Sequence, residues 1–183
     1  AMKVVADNCD SSASVYVDPD RVSIKIPEDF AMPEGGLNIR MPSSQFATIQ
    51  ALEQEMLLHK YKLYAALAFC RANKLNKWIT SGGRNPKIGI ATTGKSYLDV
   101  RQALDELGID EVRCNELGIR LFKIACPYPL SRAELAEFAK GLDLIVVVEE
   151  KRSLIEVQVR EELYGTPNQP VCIGKKDENN NWL

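Results

Sequence analysis

The eight residues Gly89-Ile90-Ala91-Thr92-Thr93-Gly94-Lys95-Ser96 match the pattern G-x-x-x-x-G-K-S/T letter for letter, and Leu144–Glu150, LIVVVEE, could supply the acidic strand that accompanies a phosphate loop. In such a loop the amides of a free turn wrap phosphates at a helix N-terminus, after a strand that ends just before the first glycine. Only Lys87 and Ile88 separate Gly89 from Pro86, and Ile90-Ala91 follow it. The strand must therefore run through the would-be loop. A smaller claim survives: Thr93, Gly94, Lys95 and Ser96 would place amides, hydroxyls and an ammonium at the start of a helix, where an anion is favoured. The competing expectation is that Ser96 caps the helix and Lys95 is simply solvated.

Glu149 and Glu150, followed by Lys151 and Arg152, form the second candidate. Paired carboxylates can do acid–base work, but adjacent strand residues point to opposite faces, so only one can reach a given pocket. A salt-bridged, solvated turn is the competing expectation. Other chemistries find little support. The lone histidine, His59, lies inside an apolar helical stripe and is expected to be structural, which leaves no base for a hydrolase triad. Cys9, Cys70, Cys114, Cys126 and Cys172 are far apart with no C-x-x-C, so neither metal-ligand spacing nor the run of thiolates for an iron–sulfur cluster is present. They are expected to be small, reduced, mostly buried thiols without disulfides, and no metal is expected.

Strand and helix alternate from residue 87 onward. Ile88–Thr92 reads as a strand, and Ser96–Leu107 as a helix with Tyr97, Val100, Leu104 and Leu107 inward and Gly108 beyond its end. Ile119–Ala125 is a second strand and Ser131–Lys140 a second helix, with Ser131 and Glu134 at capping-box spacing and Leu130 and Leu135 placed as a hydrophobic staple. The unbroken apolar run Leu144–Val148 suits a strand covered on both faces. Ser153 and Glu156 repeat the capping-box spacing before a third helix to Leu163, and Val171–Ile173 is a short last strand. The fold class is therefore α/β: a three-layer α/β/α domain with a mostly parallel mixed sheet. Ligands in such sheets bind at the carboxyl ends of strands, where both candidates lie.

Upstream the pattern differs. Val22–Ile26 alternates like a half-buried strand, and Ser14–Val17 is expected to pair with it across the Asp18-Pro19-Asp20 turn. Prolines 27, 33 and 42 with Gly35-Gly36 mark an irregular connector. A long helix, roughly Ser44–Asn73, carries one apolar row through Ile49, Leu52, Met56, His59, Leu63, Leu67 and Cys70, and a second through Leu57, Tyr61, Tyr64 and Ala68. Two rows exceed what one neighbour covers, so this helix should fold back on the α/β domain or meet another copy. Ser81-Gly82-Gly83-Arg84-Asn85-Pro86 looks like the linker between the two parts.

The 183 residues are 45% hydrophobic and 26% charged, enough for a sizeable core. With 23 basic and 25 acidic residues the net charge is −2, which gives no electrostatic reason to expect nucleic acid or an anionic membrane. No apolar run approaches a membrane span and AMKVVADNCD has no signal-peptide pattern, so a cytoplasmic location is expected.

Five segments, Gly36–Arg40 (GLNIR), Tyr61–Asn76, Gly89–Asp110, Gly118–Leu130 and Val146–Gly165, together resemble the long, fused indolepyruvate ferredoxin oxidoreductases in one collinear register. TTGKSYLDVRQAL and VVEEKR are its most specific parts. The resemblance implies an enzyme that oxidatively decarboxylates aryl 2-oxoacids to acyl-CoA with thiamine diphosphate, Mg2+, 4Fe-4S clusters and coenzyme A, passing electrons to ferredoxin. Fused members are far longer, so the chain is expected to be an internal piece, with Ala1 ahead of Met2 a vector-derived residue. By similarity residues 1–42 look like the exit of a preceding thiamine-type domain, 43–80 a connecting helix, and 86–183 a transketolase C-terminal-like domain. That domain braces catalytic neighbours and builds subunit contacts. The family's cluster cysteines and thiamine ligands have no matching positions here, so no catalytic residue carries over. The isolated chain is expected to be inactive and to partner other domains of the same polypeptide, with a homodimer as a further possibility. The alternative from the residues alone is a self-contained nucleotide-binding domain.

Overall fold

A computed structural model of the chain describes residues 12, 14–36, 47–179 and 181–182. Five strands form one sheet: β1 (Lys77–Ser81), β2 (Ile88–Thr93), β3 (Ile119–Ile124), β4 (Leu144–Val148) and β5 (Val171–Ile173), in the order β1-β3-β2-β4-β5. β1 runs antiparallel to β3; the other three pairings are parallel. The sheet is thus mixed and mostly parallel, as the alternation of elements required. Ile88 lies opposite Ile119 on one side and Leu144 on the other, and pairing of β2 with β3 continues to Thr93 opposite Ile124.

Successive strand residues feed opposite faces, so the sheet separates two cores. On one face Ala91, Phe122, Ile124, Ile145 and Val147 pack with Leu135 and Phe138 of α5 (Arg132–Ala139) and with Ile155, Val159 and Leu163 of α6 (Ile155–Leu163). On the other, Leu121 meets Val100 and Leu104 of α3 (Ser96–Glu106) and Cys114 of α4 (Glu111–Leu117), with Ile79, Ile90 and Val148 beside them. Phe122 and Phe138 are about 1% and 0% exposed. Each fully buried side chain of this size contributes roughly 2 to 3 kcal/mol, which makes them principal anchors of the first core.

Two elements were not foreseen. β1 lies inside the segment assigned to the connecting helix, so the sheet begins at Lys77 and not after residue 86. The presumed linker after it is a fixed connection that passes β3 to reach β2. Asn115 Oδ1 accepts hydrogen bonds at 3.1 Å from Ser81 Oγ and from the amides of Gly82 and Gly83. A side chain on Gly83 would sit 2.4 Å from the Asn115 carbonyl oxygen, so its glycine serves a close approach, not flexibility. The second unforeseen element, α4, is capped by Asp110, whose carboxylate accepts from the Arg113 amide at 2.7 Å, and it ends on left-handed Gly118.

The N-terminal expectations fail in the opposite sense. Residues 14–17 and 22–26 form no strand, and Val15, Tyr16, Val17, Val22, Ile24 and Ile26 are exposed. Alternation alone cannot make a strand where no partner edge completes its backbone hydrogen bonds. This segment is held instead against the end of the long helix: the Lys25 amide donates to Asn73 Oδ1 at 2.8 Å, Asn73 Nδ2 donates to the Lys25 carbonyl at 2.9 Å, and Arg71 pairs with Asp29.

The helix itself is continuous but not uniform. α1 (Ala47–Leu57) passes through a π-helical turn, Leu58–Lys62, into α2 (Leu63–Ala72); the expected start at Ser44 lies outside the described residues. Ala68 and Cys70 are its buried residues. His59, expected to be enclosed, is exposed in the π turn, and Leu52, Met56, Leu58 and Tyr64 are exposed too. None of the described helices is long and apolar enough to cross a membrane.

Candidate functional site

The direction in which the chain winds reverses between the central strand β2 and its neighbour β4: β2 leads through α3 and α4 to β3 on one side, and β4 leads through α6 to β5 on the other. At such a switch point the loops after neighbouring strands splay to opposite faces and leave a crevice beyond their carboxyl ends. A crevice of about 260 Å3 lies there, lined by Thr93, Gly94, Lys95 and Ser96 from the turn after β2, Pro127 after β3, and Glu149, Glu150 and Arg152 after β4. The fold therefore brings together the two groups of residues that the sequence nominated separately.

Their chemistry is largely committed inside the protein. Glu149, 7% exposed, turns its carboxylate onto the start of α6: Oε2 accepts from the amides of Leu154 and Ile155 at 2.8 Å, and Oε1 from the Glu156 amide at 3.0 Å. It satisfies three donors that the helix cannot satisfy itself and complements the positive end of the helix dipole. The expected capping box led by Ser153 does not form; Leu154 occupies the cap position without a side-chain bond, and Glu149 does the capping from the preceding strand end. Glu150 is exposed at the rim. The two neighbouring carboxylates thus diverge, as strand alternation requires.

Across the crevice, Thr93 Oγ1 donates to the Ile124 carbonyl at 2.8 Å, tying the end of β2 to the end of β3. Lys95 Nζ donates to Asp99 Oδ1 at 2.7 Å on the exposed side of α3. That bond, chiefly, raises the Lys95 pKa, and the Glu150 carboxylate adds a smaller push in the same direction. Gly94 turns the chain with φ +56° and has open space around it, and no side chain caps α3. The start of α3 is therefore the uncapped end in the crevice, while the start of α6 is filled.

Register excludes a phosphate loop. Residues Gly89 to Thr92 are paired with both neighbouring strands and Thr93 with β3, so no free turn precedes Gly94. Gly89 has a packing role: a side chain there would come within 2.5 Å of Leu142 Cδ1 and 2.7 Å of Phe138 Cζ. Its lack of a Cβ lets α5 and the segment after it press on the sheet. Among the described residues no three His, Cys, Asp or Glu side chains converge to hold a metal ion. The four described cysteines are free thiols on separate elements, which does not fit a cluster, so no step of chemistry here runs through one.

Sequence reasoning missed a third group beside the crevice. Glu156, 2% exposed, accepts from Arg160 Nη2 at 2.9 Å and from the Lys175 amide at 2.7 Å, and Arg160 also donates to the Cys172 carbonyl. The pair fastens the segment after β5 to α6. The helical i,i+4 spacing was the available signal, masked by the capping-box assignment of Glu156.

The model of the family described as the indolepyruvate oxidoreductase domain matches residues 78–183, from the second residue of β1 to the end. The chain belongs to the indolepyruvate oxidoreductase domain family. Indolepyruvate oxidoreductase subunit IorA of Pyrococcus horikoshii is 36% identical over 83 residues, which is 45% of this chain and 12% of that protein. IorA of Methanothermobacter marburgensis is 29% identical over 113 residues, 62% of this chain and 16% of that protein. The indolepyruvate oxidoreductase domain chain thus spans only about an eighth to a sixth of the length of these relatives. Among solved structures, a 2-oxoglutarate:ferredoxin oxidoreductase from Magnetococcus marinus aligns with TM-score 0.50 and 18% identity over 71% of this chain and 21% of that one. This is a likeness of fold. The match of the family model to 78–183 also agrees with β1, not residue 86, as the beginning of the domain.

Proposed function

We propose that this indolepyruvate oxidoreductase domain is a bracing and interaction module of a larger cytoplasmic enzyme, and not its catalytic part. That enzyme oxidatively decarboxylates aryl pyruvates to acyl-CoA, with thiamine diphosphate, Mg2+, 4Fe-4S clusters and coenzyme A held by other domains, and ferredoxin as electron acceptor. The observation that carries this is the commitment of the strand-end crevice to internal bonds. Glu149 is locked on three amides, Thr93 on the Ile124 carbonyl and Lys95 on Asp99, which leaves no nucleophile with an adjacent base. A domain whose GIATTGKS segment is used in its own strand and turn has a structural part to play.

Exposed Leu52, Met56, Leu58 and Tyr64 on the long helix support the same reading, since they offer an apolar face for the rest of the polypeptide. The test assays the purified chain with indolepyruvate or phenylpyruvate, coenzyme A and a viologen acceptor, alone and after mixing with the remaining domains. No turnover alone and co-elution with the other domains are expected. Turnover by the chain alone would overturn the proposal, as would failure of the full enzyme to lose assembly when Leu52, Met56 and Tyr64 are all changed to Ser.

A further inference from the structure

The first part of the long helix has no side of it covered. From Ala51 to Lys62, through most of α1 and all of the π turn, no residue is buried, whereas Ala68 and Cys70 of α2 are. A helix of this length is marginal in water on its backbone bonds alone, and what normally holds it is an apolar face laid against a neighbour. Such a face is present. Leu52, Met56 and Tyr64, separated by multiples of four residues, are 62%, 49% and 59% exposed, and Lys60 falls on the same step of four. Of the two expectations for this helix, folding back on the sheet domain is not met over Ala51 to Lys62, which leaves a partner from outside the chain.

The charges select that partner. α1 carries Glu53 and Glu55 and no lysine or arginine, while the π turn carries His59, Lys60 and Lys62 and no acid. The helix is therefore acidic ahead of Leu58 and basic after it. Glu53, Glu55 and Lys60 are exposed; Lys62 is half-buried and its ammonium donates to Gln54 Oε1 at 3.2 Å. Among the described residues none of the four is in an ion pair. A fitting partner offers cations beside Glu53 and Glu55, acids beside Lys60, and apolar side chains between them. The same helix, reversed, does this. With a two-fold axis at Leu58, Leu52 lies level with Tyr64 of the second copy, and Met56 with its Lys60. Glu55 is then level with Tyr61 of that copy, between its Lys60 and Lys62, and Glu53 is level with its Leu63, next to its Lys62. The two-fold repeats every match, as a self-complementary interface requires. Parallel pairing would set acid on acid and base on base, which opposes it.

We propose that α1 and the π turn form a dimerisation element that pairs antiparallel with the same helix of a second copy of this chain. The proposal rests on the reading of the chain as an interaction module, and it names the partner of the exposed helix face as that second copy. Leu52, Met56 and Tyr64 supply the apolar seam, and the opposite charges of the two halves fix its direction. In the assembled enzyme the pair joins two polypeptides through the helix that leads into β1 of each.

Sedimentation of the full chain from micromolar to near-millimolar concentration is the test. The mass is expected to rise from 20.4 kDa toward twice that value as concentration increases. Glu53→Lys with Glu55→Lys makes both halves basic and should weaken the dimer about tenfold. Adding Lys60→Glu and Lys62→Glu to that chain exchanges the two halves and should bring the dimer back to within about threefold of the original. A chain that stays at 20.4 kDa throughout overturns the proposal, as does a dimer indifferent to the first two changes, which would lie on another face. A fully exchanged chain as weak as the half-exchanged one overturns it too, because antiparallel pairing survives the exchange. The reading of the chain as an interaction module is judged separately, by co-elution with the remaining domains, which a monomeric chain can still show.

Discussion

The turns after β2 and after β4 face each other across one crevice, begin helices of similar length and lie at matching ends of adjacent parallel strands, yet they solve the helix start differently. After β4, a carboxylate from the strand end reaches into α6 and takes three amides. After β2, a glycine turns the chain and the helix begins with no side-chain cap. The difference teaches where this fold stores stability: the filled end is a fastening made by a side chain, and the other end is a turn closed by backbone bonds alone, from Tyr97 to the Gly94 carbonyl and from Leu98 to the Lys95 carbonyl.

Replacing Glu149 breaks the filled end and should have the largest effect. Glu149→Ala leaves three amides of a buried helix start without partners, and a loss of about 3 kcal/mol in urea unfolding is expected. A loss under about 0.5 kcal/mol would mean that water replaces the carboxylate freely and that the two turns are equivalent. Alkali probes the same side. Burial, first, raises the Cys172 thiol on β5 from about 9 to about 11; Arg160 opposes the shift, and Glu156 and Glu149 add to it. Because the folded pKa is raised, the contribution is intact below pH 9 and is lost as pH rises toward 11. Stability should fall by up to about 1.4 kcal/mol per pH unit across that window, and Cys172→Ala should flatten the slope.

The two glycines of the GIATTGKS segment sharpen the contrast within one strand and its turn. Gly89→Ala drives a methyl into Leu142 and Phe138 and should cost about 2 kcal/mol. Gly94→Ala meets no neighbour but must hold φ +56°, a strain of about 1 kcal/mol. Equal costs in thermal or urea unfolding would remove the distinction between the packed glycine and the turning one. The smallest effect belongs to Lys95, whose ammonium is exposed. Lys95→Ala should leave stability almost unchanged and, if the open end takes an anion, weaken sulfate binding followed by titration of amide shifts about fivefold. Sulfate shifts centred on α6 instead of Gly94 to Ser96 would reverse the assignment of the open end.

The sheet domain and the segment ahead of it were not equally legible. From β2 to β5 each strand and three of the four helices were readable, because each carries its own period and its own stops: Ser131 accepts the Glu134 amide, Leu130 and Leu135 are buried together, and Gly108 and Gly141 turn left-handed. β1 was hidden because a five-residue strand following a helix shows no period, and its place comes from pairing with β3, a partner some forty residues away. α4 carried signals, Asp110 and Gly118, but was too short to stand out. Val22 to Ile26 showed the strand pattern and formed none, for want of an edge to join.

The residues alone pointed to the α/β class, a mostly parallel sheet and a strand running through the would-be phosphate loop after Pro86. These follow from local periodicity and from how many residues a strand needs, both properties of a short stretch of chain. Only the tertiary structure decided that Gly89 is a packing residue, that Glu149 and not Ser153 caps α6, and that Lys77–Ser81 joins the sheet as an edge strand beside β3. Each of these depends on which distant segments the sheet order brings into contact, and that order is chosen by burial of whole faces, which no single stretch of sequence encodes.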